Sequence, residues 1–183
     1  MLVKDIIVLA CDFTENEELG KAIKNSDSLT DEQNSICDSL VKCFNLIYNE
    51  IASEYLPIIK VEKVKPVGSR VEYSTLSGDV CQILSISDCS GERLKFKAFQ
   101  DYVMVDANEV EIIYQVYPSE LTLSSEFDTT LTERIFAYGI AREYYFMQTL
   151  FDEADIWEER FKNSLQVLSR KKSEVKMPRR RWI

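Results

Sequence analysis

Histidine is absent from the 183 residues, and this bounds the chemistry open to the chain. It removes the commonest general base, the Ser–His and Cys–His nucleophile pairs, and the commonest metal ligand. Cysteines, carboxylates and cations remain. The five cysteines (Cys11, Cys37, Cys43, Cys81, Cys89) are odd in number and form no C-x-x-C pair, so neither a disulfide framework nor a zinc site is expected. They read as small buried hydrophobes of a chain made in a reducing compartment. The run 152–159 (DEADIWEE) has the composition of a carboxylate metal site. The plainer account is acids at a helix start complementing its dipole, with Glu158 and Glu159 on the solvated face. Arg142 and Glu143, inside an apolar helical stretch, read as a packing or interface ion pair before a catalytic one. No G-x-G-x-x-G or Walker sequence can be drawn through the five glycines. No catalytic residue, metal ligand or cofactor is assigned, and the chain is not expected to be an enzyme.

The cations that stand out close the chain. Arg170, Lys171, Lys172, Lys176, Arg179, Arg180 and Arg181 face a single acid, Glu174, which gives 170–183 a charge of +6 and leaves −15 on the rest. An acidic body repels duplex DNA, while such a tail can engage phosphates or an acidic protein surface. Arg and Trp are enriched at the energetic centres of protein interfaces, and a solvated tail has no physical need for Trp182 and Ile183. The candidate partner-binding residues are therefore Lys171, Lys172, Lys176, Arg179, Arg180, Arg181, Trp182 and Ile183. Docking into a neighbouring protein leads. A basic terminus kept for solubility and a nucleic-acid-binding accessory role follow.

The elements that must carry this tail can be read from periodicity. Residues 3–13 and 15–25 form short amphipathic helices. Thr30, followed by Asp31, Glu32 and Gln33, is a capping-box start for a long helix through Ile36, Leu40, Cys43, Phe44, Ile47, Ile51 and Tyr55 to the stop at Pro57. From Ile58 to Tyr117 the period becomes two, in about six short strands separated by Gly, Asp, Asn and Pro turns. Helical spacing resumes near Thr130 and, after a break at 151–152, continues with Ala154, Trp157, Phe161, Leu165 and Leu168 on one face, which makes a helical hairpin. The hairpin's Ala/Gly/Tyr/Trp spacing matches a tetratricopeptide unit only once, and one copy buries no core.

The fold expected is α+β: a helical bundle from the N- and C-terminal helices, an inserted small antiparallel β-barrel or sandwich, and an extended C-terminal tail. The segments are 1–57 (N-terminal helices), 58–118 (β-domain), 119–172 (hairpin packed on the N-terminal helices) and 173–183 (docking tail). The apolar run 6–11 (IIVLAC) is shorter than a signal core, and no stretch reaches the ~20 apolar residues of a membrane span. A protein without a membrane segment is expected.

Four stretches have a common likeness: 43–57 (CFNLIYNEIASEYLP), 134–145 (RIFAYGIAREYY), 151–165 (FDEADIWEERFKNSL) and 178–182 (PRRRW). Together they resemble the head–tail connector, or adaptor, proteins of tailed phages, of the tail tubular protein A type. The likeness covers 30–60 and 130–183, and the β region adds nothing to it. It implies a structural subunit of a bacteriophage virion, made in the host cytoplasm and located in the neck. Such subunits form a ring, commonly a dodecamer, below the portal. The partners implied are the portal protein and downstream tail proteins, with DNA passing the lumen without specific binding. The docking arm would be 171–183, anchored by Arg179, Arg180, Arg181, Trp182 and Ile183.

Overall fold

Apolar residues at helical spacing after Met1 form α1 (Val3–Phe13), which buries Val3, Ile6, Ile7, Ala10 and Cys11. The chain then turns through Glu15, at φ 58°, into α2 (Glu17–Asn25), which buries Leu19, Gly20 and Ile23. The start of α3 (Asp31–Glu50) is the capping box read from sequence. Gln33 N–H donates to Thr30 Oγ1 at 3.2 Å, and Thr30 N–H donates to Gln33 Oε1 at 3.0 Å. The α-helix does not run unbroken to Pro57. Its end widens into a π-helical turn, Ile51–Tyr55, closed by Leu56 N–H on Ile51 O at 2.8 Å.

The computed structural model describes residues 1–172, with side chains described to 167. Two compact units result, one built from Met1–Ile47 and the chain from Leu121 onward, the other from Tyr48–Glu120. In the first, Asn45 clamps the returning chain: its Nδ2 donates to Leu121 O at 2.9 Å and its Oδ1 accepts from Leu121 N–H at 2.8 Å. The chain start is pinned beside it, with Val3 N–H on Ser125 O at 3.1 Å and the terminal amine on Phe127 O at 2.9 Å. α4 (Glu133–Met147) and α5 (Phe151–Lys172) form the helical hairpin. Phe44, Phe127 and Phe136 meet with centroids 5.5–5.9 Å apart and fill the space between α3, the return segment and α4. Fully burying such rings is worth roughly 1.5–3 kcal/mol each.

The second unit holds six short strands: β1 (Ile58–Val64), β2 (Arg70–Glu72), β3 (Val80–Ser87), β4 (Lys97–Ala98), β5 (Tyr102–Met104) and β6 (Val110–Val116). They do not close into a barrel. They form two antiparallel three-stranded sheets, ordered β1-β6-β3 and β2-β5-β4. The strands of the second sheet are two or three residues long, too short to continue the first around a barrel. Leu94 and Phe96 alternate as strand residues should, yet only Lys97 and Ala98 join the second sheet; Leu94 gives a single N–H to Ile86 of β3, and the side chains of Leu94 and Phe96 pack against the core. That core draws on both sheets: Val71 and Val103 from one, Ile83, Ile86, Val110, Ile112, Tyr114 and Val116 from the other. Mixed α+β architecture with antiparallel sheets stands, and the closed barrel does not.

Candidate functional site

The hairpin α4–α5 carries a cluster of exposed apolar side chains, and its construction begins at the turn. The break lies at 148–150, three residues before the position read from sequence. Thr149 takes φ 62°, and the carbonyls ending α4 are capped by Gln148 N–H on Tyr144 O at 3.2 Å and Leu150 N–H on Tyr145 O at 3.0 Å. Asp152 and Glu153 occupy the first turn of α5, where the helix dipole favours acids. The turn leaves Phe146, Met147, Leu150 and Phe151 exposed, with Phe146 at 59% and Phe151 at 54%. Their rings stack edge-to-face with centroids 5.4 Å apart. Met147 is anchored from behind, its sulfur 3.6 Å from Cys43 Sγ.

One turn deeper, α4 and α5 are joined by charge. Arg142 donates from Nε and Nη2 to Glu143 Oε1 at 3.0 and 2.6 Å, and from Nη1 to Glu158 Oε2 at 2.7 Å. Its guanidinium also lies 5.1 Å from the centre of the Phe161 ring. Lys162 pairs with the other oxygen of Glu158. Burial works upward on the Glu158 carboxyl, but the bonds from Lys162 and Arg142 together outweigh it and hold the carboxyl below the usual range. Glu158 is thus an internal tie of the hairpin and does not belong to the solvated face. Trp157 stacks on Phe13 at 4.9 Å and Tyr138 fits beside it at 5.6 Å, so α1 braces the same hairpin. The result is a rigid stem that ends in an unshielded aromatic tip.

The residues read as partner-binding from sequence are only partly within view. Lys171 and Lys172 close α5 as helical residues and therefore do not begin an extended arm. Lys176, Arg179, Arg180, Arg181, Trp182 and Ile183 lie outside the described residues, as does the extended conformation expected of 173–183. The aromatic tip was missed. Its signal, four apolar residues crowded around a Gln-Thr break between two amphipathic helices, was present at 146–151.

Three of the five cysteines are buried as expected, and burial pushes the Cys11 and Cys43 thiols up to about 12. Cys81 is half-buried and Cys89 is exposed, because Cys89 sits in a turn that Asp88 organises by accepting from Ser90 and Glu92 N–H at 2.8 and 2.9 Å. A groove of about 660 Å³ between α1, α2 and α3 is lined by Asp12, Glu15, Glu17, Glu18 and Glu32. Among the described residues, no group of three or more Cys, Asp and Glu is placed to hold a metal ion. No helix among them is long and apolar enough to cross a membrane. No protein-family model matches the chain, and no curated protein matches it.

Proposed function

We propose that this chain is a structural virion protein, a head-to-tail connector subunit that assembles into a ring below the portal of a tailed phage. Two lines support this reading. The first is the resemblance carried by 43–57, 134–145, 151–165 and 178–182. The second, which carries the reading, is the braced hairpin with Phe146, Met147, Leu150 and Phe151 uncovered at its tip. Contiguous aromatic and Met side chains on a rigid element are what a protein interface needs and what an isolated chain avoids. The tip takes a neighbouring copy in the ring, and the tail 173–183, with the last lysines of α5, docks on the portal protein or a downstream tail protein. The strongly acidic body favours a lumen past which DNA moves without binding.

Native mass spectrometry of the full chain at high concentration, with and without 170–183, tests this. A closed multi-copy ring is the expected species, with its portal binding lost on truncation. Absence of a ring both alone and on added portal protein would overturn the proposal. Salt-sensitive DNA affinity that disappears with 170–183 would then favour the nucleic-acid-binding alternative.

A further inference from the structure

β1 is an edge strand with unusual regularity. Its seven residues keep unbroken register with β6, from Ile58 opposite Val116 to Val64 opposite Val110, and no strand lies on its other side among the described residues. The opposite edge of the same sheet is blunted. β3 has two register shifts, and its end is covered by Leu94 N–H on Ile86 O at 2.8 Å and by the bridge of Ser87 to Arg93. Bulges and cover of that kind keep edges from pairing, as do free edge lysines. Of the lysines of β1, Lys60 is held within the chain and Lys63 is exposed beside Glu111. Lys60 Nζ donates to Ser77 O and Oγ at 3.1 and 3.2 Å, and Lys63 Nζ lies 3.9 Å from Glu111.

The outer face of this edge is apolar over Ile59 and Val61 and ends in Lys63. Ile59 and Val61 are 54% and 55% exposed, while Ile58 and Val64 turn inward and pack against the β-core. The strand also has a charge pattern that is complementary to itself. If two copies of Ile58–Val64 (IIKVEKV) run antiparallel with the same face outward, residues opposite each other must have the same parity. Centring the pair on Val61 sets Ile58 opposite Val64, Ile59 opposite Lys63, Lys60 opposite Glu62 and Val61 opposite itself. Unlike charges then meet twice about the two-fold axis, with Lys60 leaving Ser77 to reach a Glu62 that Ser77 and Tyr114 hold in place. Centring on Lys60, Glu62 or Lys63 sets like charges directly opposite, which destabilises a sheet, and centring on the remaining positions shortens the ladder.

We infer that β1 is a homodimerisation edge: two copies of the chain pair antiparallel through β1 about Val61 and join their sheets into one six-stranded sheet. Ile59 and Val61 of both copies then form a diagonal apolar strip, with Lys63 of each copy beside Ile59 of the other. The contact is isologous and closes at two copies, so it is a state of the chain separate from a head-to-tail ring and does not rest on the connector reading.

Sedimentation of the full chain at concentrations below those at which the ring assembles should give a dimer, and Val61→Lys, which sets two lysines together on the axis, should give a monomer with unchanged circular dichroism. A cysteine pair tests the register independently. In a Cys89→Ser background, Val61→Cys should form an interchain disulfide on mild oxidation, because directly opposed residues have Cα atoms about 4.5–5.5 Å apart. Ile59→Cys in the same background should not, since its symmetry mate lies four residues along, roughly 13 Å away. A wild-type chain that stays monomeric, a dimer indifferent to Val61→Lys, or equal cross-linking at both positions would each overturn the inference.

Discussion

Gly139 of α4 faces Ile47 of α3 so closely that a Cβ on the glycine would meet Ile47 Cγ2 at 2.7 Å and its Cγ1 and Cδ1 at 2.9 Å. Ile47 is fully buried, and Cγ1 and Cγ2 branch directly from its Cβ, so they cannot swing aside as a long side chain would. The glycine is present for approach, since its place in mid-helix forgoes about 1 kcal/mol of propensity relative to alanine. Gly139→Ala should therefore destabilise the helical unit, because overpacking costs about 1–3 kcal/mol or more and exceeds the propensity gain. Denaturant unfolding checks this. The decisive control is Gly139→Ala combined with Ile47→Ala, which should be far less destabilised than the two single changes added together. Strict additivity would show that the close approach does not limit packing.

The capping box of α3 gives a smaller, local expectation. Thr30 and Gln33 exchange side-chain and backbone bonds at 3.2 and 3.0 Å. Thr30→Ala should lower stability by about 1 kcal/mol, and Thr30→Ser should restore most of it. Equal stability of the alanine and serine variants would mean that solvent satisfies the first turn of the helix equally well.

Features such as this cap were legible because they are local: a hydroxyl, acids and a glutamine in four consecutive residues determine the outcome. α1, the change of period at Ile58 and the hairpin were legible for the same reason, since each announces itself within one or two turns. The sheets were not, because their order depends on partners far apart in sequence. β6 reads as one more alternating strand, yet it is the centre of its sheet, flanked by β1 and β3. The pairing of Glu158 with Arg142 was likewise invisible, for it joins positions on two helices separated by a turn in which Thr149 takes a left-handed conformation. A threonine in the left-handed region carries none of the sequence signal that a glycine there would give.

That tie has a pH signature. The bonds from Lys162 and Arg142 hold the Glu158 carboxyl low against the upward pull of burial. A carboxyl held low in the folded state contributes stability that is present above its unfolded value, about 4.3 for glutamate, and lost as pH falls through the lower folded value. Glu158→Gln should therefore unfold at lower temperature than the wild type near pH 7. The gap should shrink as the pH falls below about 4, where the wild-type side chain also becomes neutral. A gap of constant size from pH 7 to pH 3 would indicate lost packing and not a lost charge.

Cys89 should be the thiol that reagents find first. It is exposed, whereas Cys11, Cys37 and Cys43 are buried. Its Sγ lies 3.5 Å from Glu109 Oε2, and that hydrogen bond, with the charge behind it, pushes the thiol up. Since thiolate is the reacting form, iodoacetamide under native conditions should modify Cys89 slowly at neutral pH and faster as pH rises. Glu109→Gln should accelerate it severalfold without exposing the buried thiols, as peptide mapping by mass spectrometry would show. An unchanged rate would mean that Glu109 does not govern the thiol in solution.

The aromatic tip separates a surface kept for assembly from one that serves the fold. Phe146 and Phe151 are more than half exposed, and their rings meet edge-to-face with centroids 5.4 Å apart. The double change Phe146→Ser with Phe151→Ser loses one edge-to-face contact, worth about 0.5–1.5 kcal/mol beyond area, so unfolding should shift by no more than about that amount. Assembly should respond much more. Aromatic anchors at the centre of an interface commonly contribute ~2 kcal/mol or more apiece, and each 1.4 kcal/mol is about tenfold in affinity. Loss of two per contact, repeated around a closed ring, should abolish the ring at concentrations where the wild-type chain is fully assembled. Native mass spectrometry of the two proteins side by side, with circular dichroism to verify folding, reads both quantities. A ring that persists in the double variant would move the inter-subunit contact away from the hairpin tip, and a collapse in stability would assign the two rings to the fold.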